Sequence, residues 1–164
     1  MIILGVDTSL RSTGYGVLET AGSRFRALDY GNIPNGPRTP LSACLANIHS
    51  RISSLIETWN PDVLSIEKVI YGKNANTMLV LGEARGAVMV AGVAHAKPMF
   101  EYEPRRVKMA VCGNGMAEKE QVQRMVRTLL SLPGIPQNDA ADAFALAICH
   151  AHANPLLGSR PNPV

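Results

Sequence analysis

Ile2-Ile3-Leu4-Gly5-Val6-Asp7-Thr8-Ser9 is an unbroken apolar run that stops on an acid and two turn-forming residues. A short run of this kind is what a strand buried on both faces requires, and such strands lie in sheets with helices packed on them. Asp7 then stands where the buried strand emerges. Working outward, Thr13–Leu18 and Phe25–Ile33 read as two more strands joined by the turn Ala21-Gly22-Ser23, so the chain begins with an antiparallel meander.

After the loop Asn35–Pro40, Leu41, Leu45, Ile48, Ile52, Leu55 and Ile56 recur at helical spacing as far as Trp59, where Asn60-Pro61 stops them. Asp62–Val69 reads as a fourth strand. A loop then leads to a helix over about 76–94 in which Gly82, Gly86, Ala87, Ala91 and Ala94 allow another backbone to come close. Pro98–Tyr102 reads as a fifth strand. Pro104–Val111 and the loop Gly113-Asn114-Gly115 follow, and the segment 104–111 is not counted among the elements. Two helices complete the pattern, one over about 118–130 and one over about 138–153, with Asn138 as the expected N-cap of the second. The order β-β-β-α-β-α-β-α-α predicts an α/β domain: a mixed five-stranded sheet with helices on both faces. It spans 1–153, and a flexible Pro-containing tail over 154–164 carries Pro155, Pro161 and Pro163.

Composition bounds what such a domain can be. The 164 residues are 46% hydrophobic and 18% charged, enough apolar side chain to offset chain entropy, which excludes a disordered or collagen-like chain. Charge or turn residues break every apolar run well short of the ~18 residues that span a bilayer, so no membrane partner is expected. No basic segment precedes the first apolar run, so no signal peptide is expected. Cys44, Cys112 and Cys149 are widely scattered, the pattern of reduced thiols in a cytoplasmic protein.

The chemical signal lies in four carboxylates. Asp7 and Glu67 stand at or near the ends of two buried strands; Asp139 and Asp142 stand at i and i+3 in the first turn of the last helix. Taken singly, each has a plain reading as a turn former, a solvent-facing strand residue or a complement to the helix dipole. Taken together, they can converge at one sheet edge, where like charges ~4 Å apart need a cation to stay ionised. An all-oxygen set favours Mg²⁺ or Mn²⁺ over Zn²⁺, and two such ions suit phosphoryl displacement. The net charge is +3, but with these four of the thirteen acids set aside, sixteen Lys and Arg face nine acids, an excess of +7 suited to a polyanion. Basic residues collect at Arg105, Arg106 and Lys108, and again at Lys119, Arg124 and Arg127. Cys149, His150 and His152 do not converge on a helix, which excludes zinc there; both histidines are expected to face solvent, and His49 and His95 to be surface or capping residues. There is no G-x-S-x-G elbow and no Walker A loop.

Several stretches also carry a resemblance over nearly the whole chain: Leu4–Val17, Ser65–Val69, Lys73-Asn74, Leu81–Gly86, Ala117–Val122, Met125–Leu130 and Asp139–Ala143. Their order and spacing resemble the RuvC family of crossover-junction (Holliday-junction) endodeoxyribonucleases. The resemblance implies an RNase H-like fold, a homodimer, and cytoplasmic Mg²⁺-dependent nicking of two strands placed symmetrically across a four-way DNA junction. It implies two Mg²⁺ per site, with Mn²⁺ as a substitute, and the branch-migration proteins RuvA and RuvB as partners. It maps the catalytic and metal-binding acids onto Asp7, Glu67, Asp139 and Asp142. Lys108 and Lys119 fall where the family keeps lysines near the DNA, Lys119 with a catalytic part. The expected DNA-facing set is Ile70, Tyr71, Lys73, Arg105, Arg106, Lys108, Lys119 and Arg124. The Gly/Ala-rich helix falls where the family makes its dimer contact. Two positions depart from the pattern: Thr8-Ser9 replaces Pro-Gly after the first acid, and Ile70 stands where a base-stacking aromatic is common, with Tyr71 beside it. A nuclease acting on RNA–DNA hybrids and a non-catalytic junction-binding module are the rival readings. An actin-like phosphotransferase would need two such domains, more than this length holds.

Overall fold

The computed structural model describes residues 1–69, 74–153, 161 and 163–164. Ten elements follow in order: β1 (Ile2–Asp7), β2 (Ser12–Ala21), β3 (Arg24–Pro34), α1 (Leu41–Trp59), β4 (Val63–Glu67), α2 (Ala75–Ala94), β5 (Met99–Tyr102), α3 (Pro104–Cys112), α4 (Lys119–Leu129) and α5 (Asn138–His152). The strands form one sheet in the order β3-β2-β1-β4-β5. The meander is antiparallel, and β4 and β5 add in parallel to β1. The expected mixed five-stranded sheet is therefore present, and its central strand is β1.

Two apolar cores lie on opposite faces of that sheet. One gathers Leu4, Val6, Val17 and Leu64 with Ile48, Ile52 and Ile56 of α1 and Ala84, Val88 and Ala91 of α2. The other gathers Ile3, Leu18 and Tyr102 with Val107 and Val111 of α3, Val122 and Val126 of α4, and Phe144 and Ile148 of α5. Alternation along β1 sends Ile3 to one core and Leu4 to the other, which is why its sequence reads as continuous apolar residues. Helix α5 packs on the sheet, and Ser65 Oγ donates to the Leu146 carbonyl at 2.8 Å, fixing it over β4.

Three expectations need correction. Pro104–Cys112 is a helix, making five among the described residues: Pro104 is set for a first helical turn, Val107 and Val111 bury one turn apart, and Gly113 ends it at φ 68°. Asn138 is not the N-cap of α5; Gln137 is, and the Asn138 side chain instead accepts from Gln123 Nε2 at 2.6 Å. Asp142 consequently sits beyond the first turn. His150 is fully buried, not solvent-facing, with Nδ1 2.8 Å from the Tyr102 hydroxyl and its ring against Phe100. Most of the 154–164 tail lies outside the described residues, but its last residue is tied down, Val164 N–H donating to the Met99 carbonyl at 2.9 Å.

Helix α2 is long and apolar enough to cross a bilayer. Here its inner side packs on the sheet, Gly92 lying against Met99 and Leu64, and buried Arg85 pairs with Glu101 of β5. Its N-terminus is capped by Asn74, whose side chain accepts from the Thr77 amide. The outer side is uncovered: Leu79, Val90 and Val93 are exposed, and nothing stands over Gly82 or Gly86.

Candidate active site

Strand register builds one side of the site. Val6 pairs with Ile66 across the parallel β1–β4 ladder, so Asp7 and Glu67 follow at adjacent strand ends. On the other flank Asp7 pairs with Gly14 and Gly14 with Asn32, which makes a row Glu67–Asp7–Gly14–Asn32 across four strands. The helix α5 supplies the other two acids from above this row.

Asp7, Glu67 and Asp142 line a cleft of about 290 Å³ together with Lys108 of α3 and Lys119 at the start of α4. Pro104, Val107, Val122, Ala145 and Leu146 are its apolar lining. Lys119 Nζ stands 3.6 Å from Asp142 Oδ2. Asp139 is beside this cleft, not in its lining. Its Oδ2 accepts from Ser12 Oγ at 2.5 Å and from Asn32 Nδ2 at 2.9 Å.

The electrostatics are those of an anionic site short of positive charge. Burial first, then Asp142, Glu67 and Asp139, push the Asp7 carboxyl up to about 8 against a partial offset from Lys119. Burial and Asp142 raise Glu67, while Lys119 and Lys108 hold it down. Burial raises Asp142 as well, with Lys119 the main counterweight. A hard divalent cation would relieve this repulsion, and the oxygen-only donor set fits one. Among the described residues no three acids are drawn together tightly enough to clasp an ion as they stand; the fit therefore rests on donor chemistry and on the unbalanced charge at Asp7.

Of the remaining expected DNA-facing residues, those described lie on α3 and α4. Arg105 is exposed and packs against Gly115, Arg106 lies over the Tyr102 ring with its guanidinium carbon 5.0 Å from the centroid, and Arg124 is exposed on α4. Ile70, Tyr71 and Lys73 lie outside the described residues. Of the other sequence expectations, Cys44 and Cys149 are buried, and the Cys149 thiol is pushed by burial up to about 11, as suits an inert core thiol. His95 does act as a cap, its backbone N–H closing α2. Ser12 and Asn32, the partners of Asp139, were not anticipated.

A five-stranded sheet of this order, with carboxylates gathered at the edge of its central strands, defines an RNase H-like nuclease. The family model described as "Crossover junction endodeoxyribonuclease RuvC" matches residues 3–150. The chain belongs to the RuvC family. Two curated relatives named "Crossover junction endodeoxyribonuclease RuvC" align over almost all of it. The one from Desulforamulus reducens is 44% identical over 161 residues, 98% of this chain and 99% of the relative. The one from Geotalea uraniireducens is 45% identical over 158 residues, 96% and 92%. Among solved structures, Thermus thermophilus RuvC, described in complex with Holliday junction substrate, superposes with a TM-score of 0.92 at 30% identity. It covers all of this chain and 99% of that one.

Proposed function

We propose that this chain resolves four-way DNA junctions in recombination and repair, making paired symmetric nicks that leave 5′-phosphate and 3′-hydroxyl ends. The observation that carries the reading is the meeting of Asp7, Glu67 and Asp142 with Lys108 and Lys119 in one cleft, in a chain similar from end to end to crossover junction endodeoxyribonucleases.

Asp7, Glu67, Asp139 and Asp142 would hold two Mg²⁺ ions, with Mn²⁺ as a substitute. When bound, the metal supplies Lewis acidity: it eases deprotonation of the attacking water and offsets charge on the phosphoryl group and leaving oxygen. The chain's own residues do the rest. Asp7, at the centre of the row, orients the reacting region between the other acids. Lys119, held at 3.6 Å from Asp142, presents a cation where negative charge grows on the scissile phosphate. Lys108 adds a second cation to the lining of the same cleft. The apolar side chains lining the cleft limit bulk water beside the acids.

Beyond the cleft, Arg105, Arg106 and Arg124, with Ile70, Tyr71 and Lys73, would extend contact along the junction arms, binding by shape and in a salt-sensitive way. Two nicks related by symmetry call for two copies of the chain. The uncovered side of α2, with Val90 and Val93, is the surface we assign to the homodimer. RuvA and RuvB would be partners at the junction, and the three unpaired thiols fit a cytoplasmic setting. The unit we assign to this activity is the single domain 1–153.

The test is cleavage of an immobile four-way junction beside a linear duplex of the same sequences, with Mg²⁺ and then with EDTA. Paired nicks on the junction alone, abolished by EDTA, are expected. Equal cutting of the linear duplex would contradict junction selectivity.

A further inference from the structure

We propose that Ser12 and Asn32 are positioning residues for the metal site, acting through Asp139. This rests on the reading of Asp139 as a ligand given above.

The three side chains form a closed triangle. Asn32 Nδ2 donates both to Asp139 Oδ2 at 2.9 Å and to Ser12 Oγ at 2.8 Å, and Ser12 Oγ donates to the same Oδ2 at 2.5 Å. The triangle fixes every direction in it. An amide turned the other way would set its oxygen against a carboxylate oxygen, so Asn32 must present its NH₂ group. With an Asn32 N–H directed at its oxygen, the Ser12 hydroxyl has its hydrogen free for the carboxylate. The other end of the Asn32 amide, Oδ1, is buried without a hydrogen-bond partner among the described residues. An asparagine kept where one polar atom goes unsatisfied is explained by what its other end holds.

The reference frame of the triangle is the sheet. Ser12 begins β2 and Asn32 lies within β3, whereas Asp139 rides on the first turn of α5. Because Asn32 is in the row that contains Asp7 and Glu67, the clamp sets Asp139 relative to the acids contributed by the sheet. Both hydrogen bonds fall on Oδ2, which leaves Oδ1 as the oxygen offered to a cation. Partners of this kind hold a carboxylate ligand's orientation, and their loss typically weakens metal binding about 10–100-fold.

The experiment is Mn²⁺ binding to the full chain without DNA, followed by electron paramagnetic resonance. It compares wild type with Ser12→Ala, Ser12→Thr, Asn32→Ala and Asp139→Ala, with thermal melting of each metal-free protein alongside. Ser12→Ala and Asn32→Ala are expected to weaken Mn²⁺ binding about tenfold, with Ser12→Thr restoring it by returning the hydroxyl. Wild-type affinity in both alanine variants, with Asp139→Ala weakened, would overturn the clamp and leave Asp139 a ligand. Wild-type affinity in Asp139→Ala would overturn the ligand reading and the clamp with it. Should Asn32→Ala fail to fold, the Ser12→Ala and Ser12→Thr pair decides alone: a lowered melting temperature with unchanged Mn²⁺ affinity would mark a structural role only.

Discussion

Gly14 lies directly beneath Asp139: a β-carbon on Gly14 would overlap the Asp139 carbonyl oxygen and come within 2.8 Å of its Cβ. Gly14 is also the strand partner of Asp7. The missing side chain in β2 is therefore what allows a helix-borne acid to sit over the strand-borne one. Gly5, in β1, does the same beneath Ala143, and Gly16 beneath the Phe144 ring. Together they seat α5 on the sheet.

Gly14→Ala is accordingly expected to push the start of α5 off the sheet. Overpacking of this kind costs about 1–3 kcal/mol, and junction cleavage should fall at least tenfold as Asp139 leaves its place. Melting curves and single-turnover cleavage check both. Unchanged cleavage would show that the seating of Asp139 does not matter.

Asp7 should weaken the metal-free protein. Its carboxyl is raised from 3.8 to about 8 in the folded chain, so between those values the native state keeps a proton that the unfolded chain has released. Stability must then fall as pH rises through that window. Asp7→Asn removes the effect. Without metal, the variant is expected to melt higher than wild type at pH 8, by about 2–4 °C for a gain near 1 kcal/mol, and the difference should vanish near pH 4. Added Mg²⁺ should raise the wild-type melting temperature and leave that of the variant nearly unchanged.

Lys119 separates chemistry from stability. Its side chain is 68% exposed, so its pairing with Asp142 contributes little to folding. Lys119→Ala should change the melting temperature by less than about 2 °C while slowing cleavage about 10²-fold. It should also shift the acid limb of the pH–rate profile upward, because Lys119 holds both Asp142 and Glu67 down. A slowed variant with an unshifted limb would place Lys119 on the DNA alone.

Val93→Glu tests the surface of α2. Val93 is 69% exposed at the end of an apolar helix face. If Val93 lies in the proposed homodimer contact, a charge there should leave a monomer in sedimentation, with paired nicks replaced by rare single ones and the melting temperature little changed. A dimer that survives both Val93→Glu and Val90→Glu would place the contact elsewhere.

Much of this was legible in the sequence, for physical reasons that also mark where legibility stopped. The run Ile2–Val6 reads as a central strand because both its faces bury, and Asp7 and Glu67 stand out because such strands end in acids at one sheet edge. The α1 stripe is plain because its period is helical and Pro61 ends it. Asn32 could not be placed. The β2–β3 ladder slips by one residue between Val17 and Leu18, so counting alternation back from the turn at Gly22 assigns β3 side chains beyond the slip to the wrong face. His150 misled because a polar residue near a helix end reads as solvent-facing, whereas Tyr102, 48 residues earlier in the chain, supplies its partner. Helix α3 is hard to read from sequence because its nine residues are short for a helix and begin with proline, and Gly113 caps them.

The most direct test of the central claim compares wild type and Asp7→Asn on one labelled four-way junction, reading binding by gel shift and nicking by denaturing gel in Mg²⁺. Both proteins are expected to shift the junction, and only wild type to release the paired nicked products. Nicking by Asp7→Asn at the wild-type rate would contradict a reaction centred on these carboxylates.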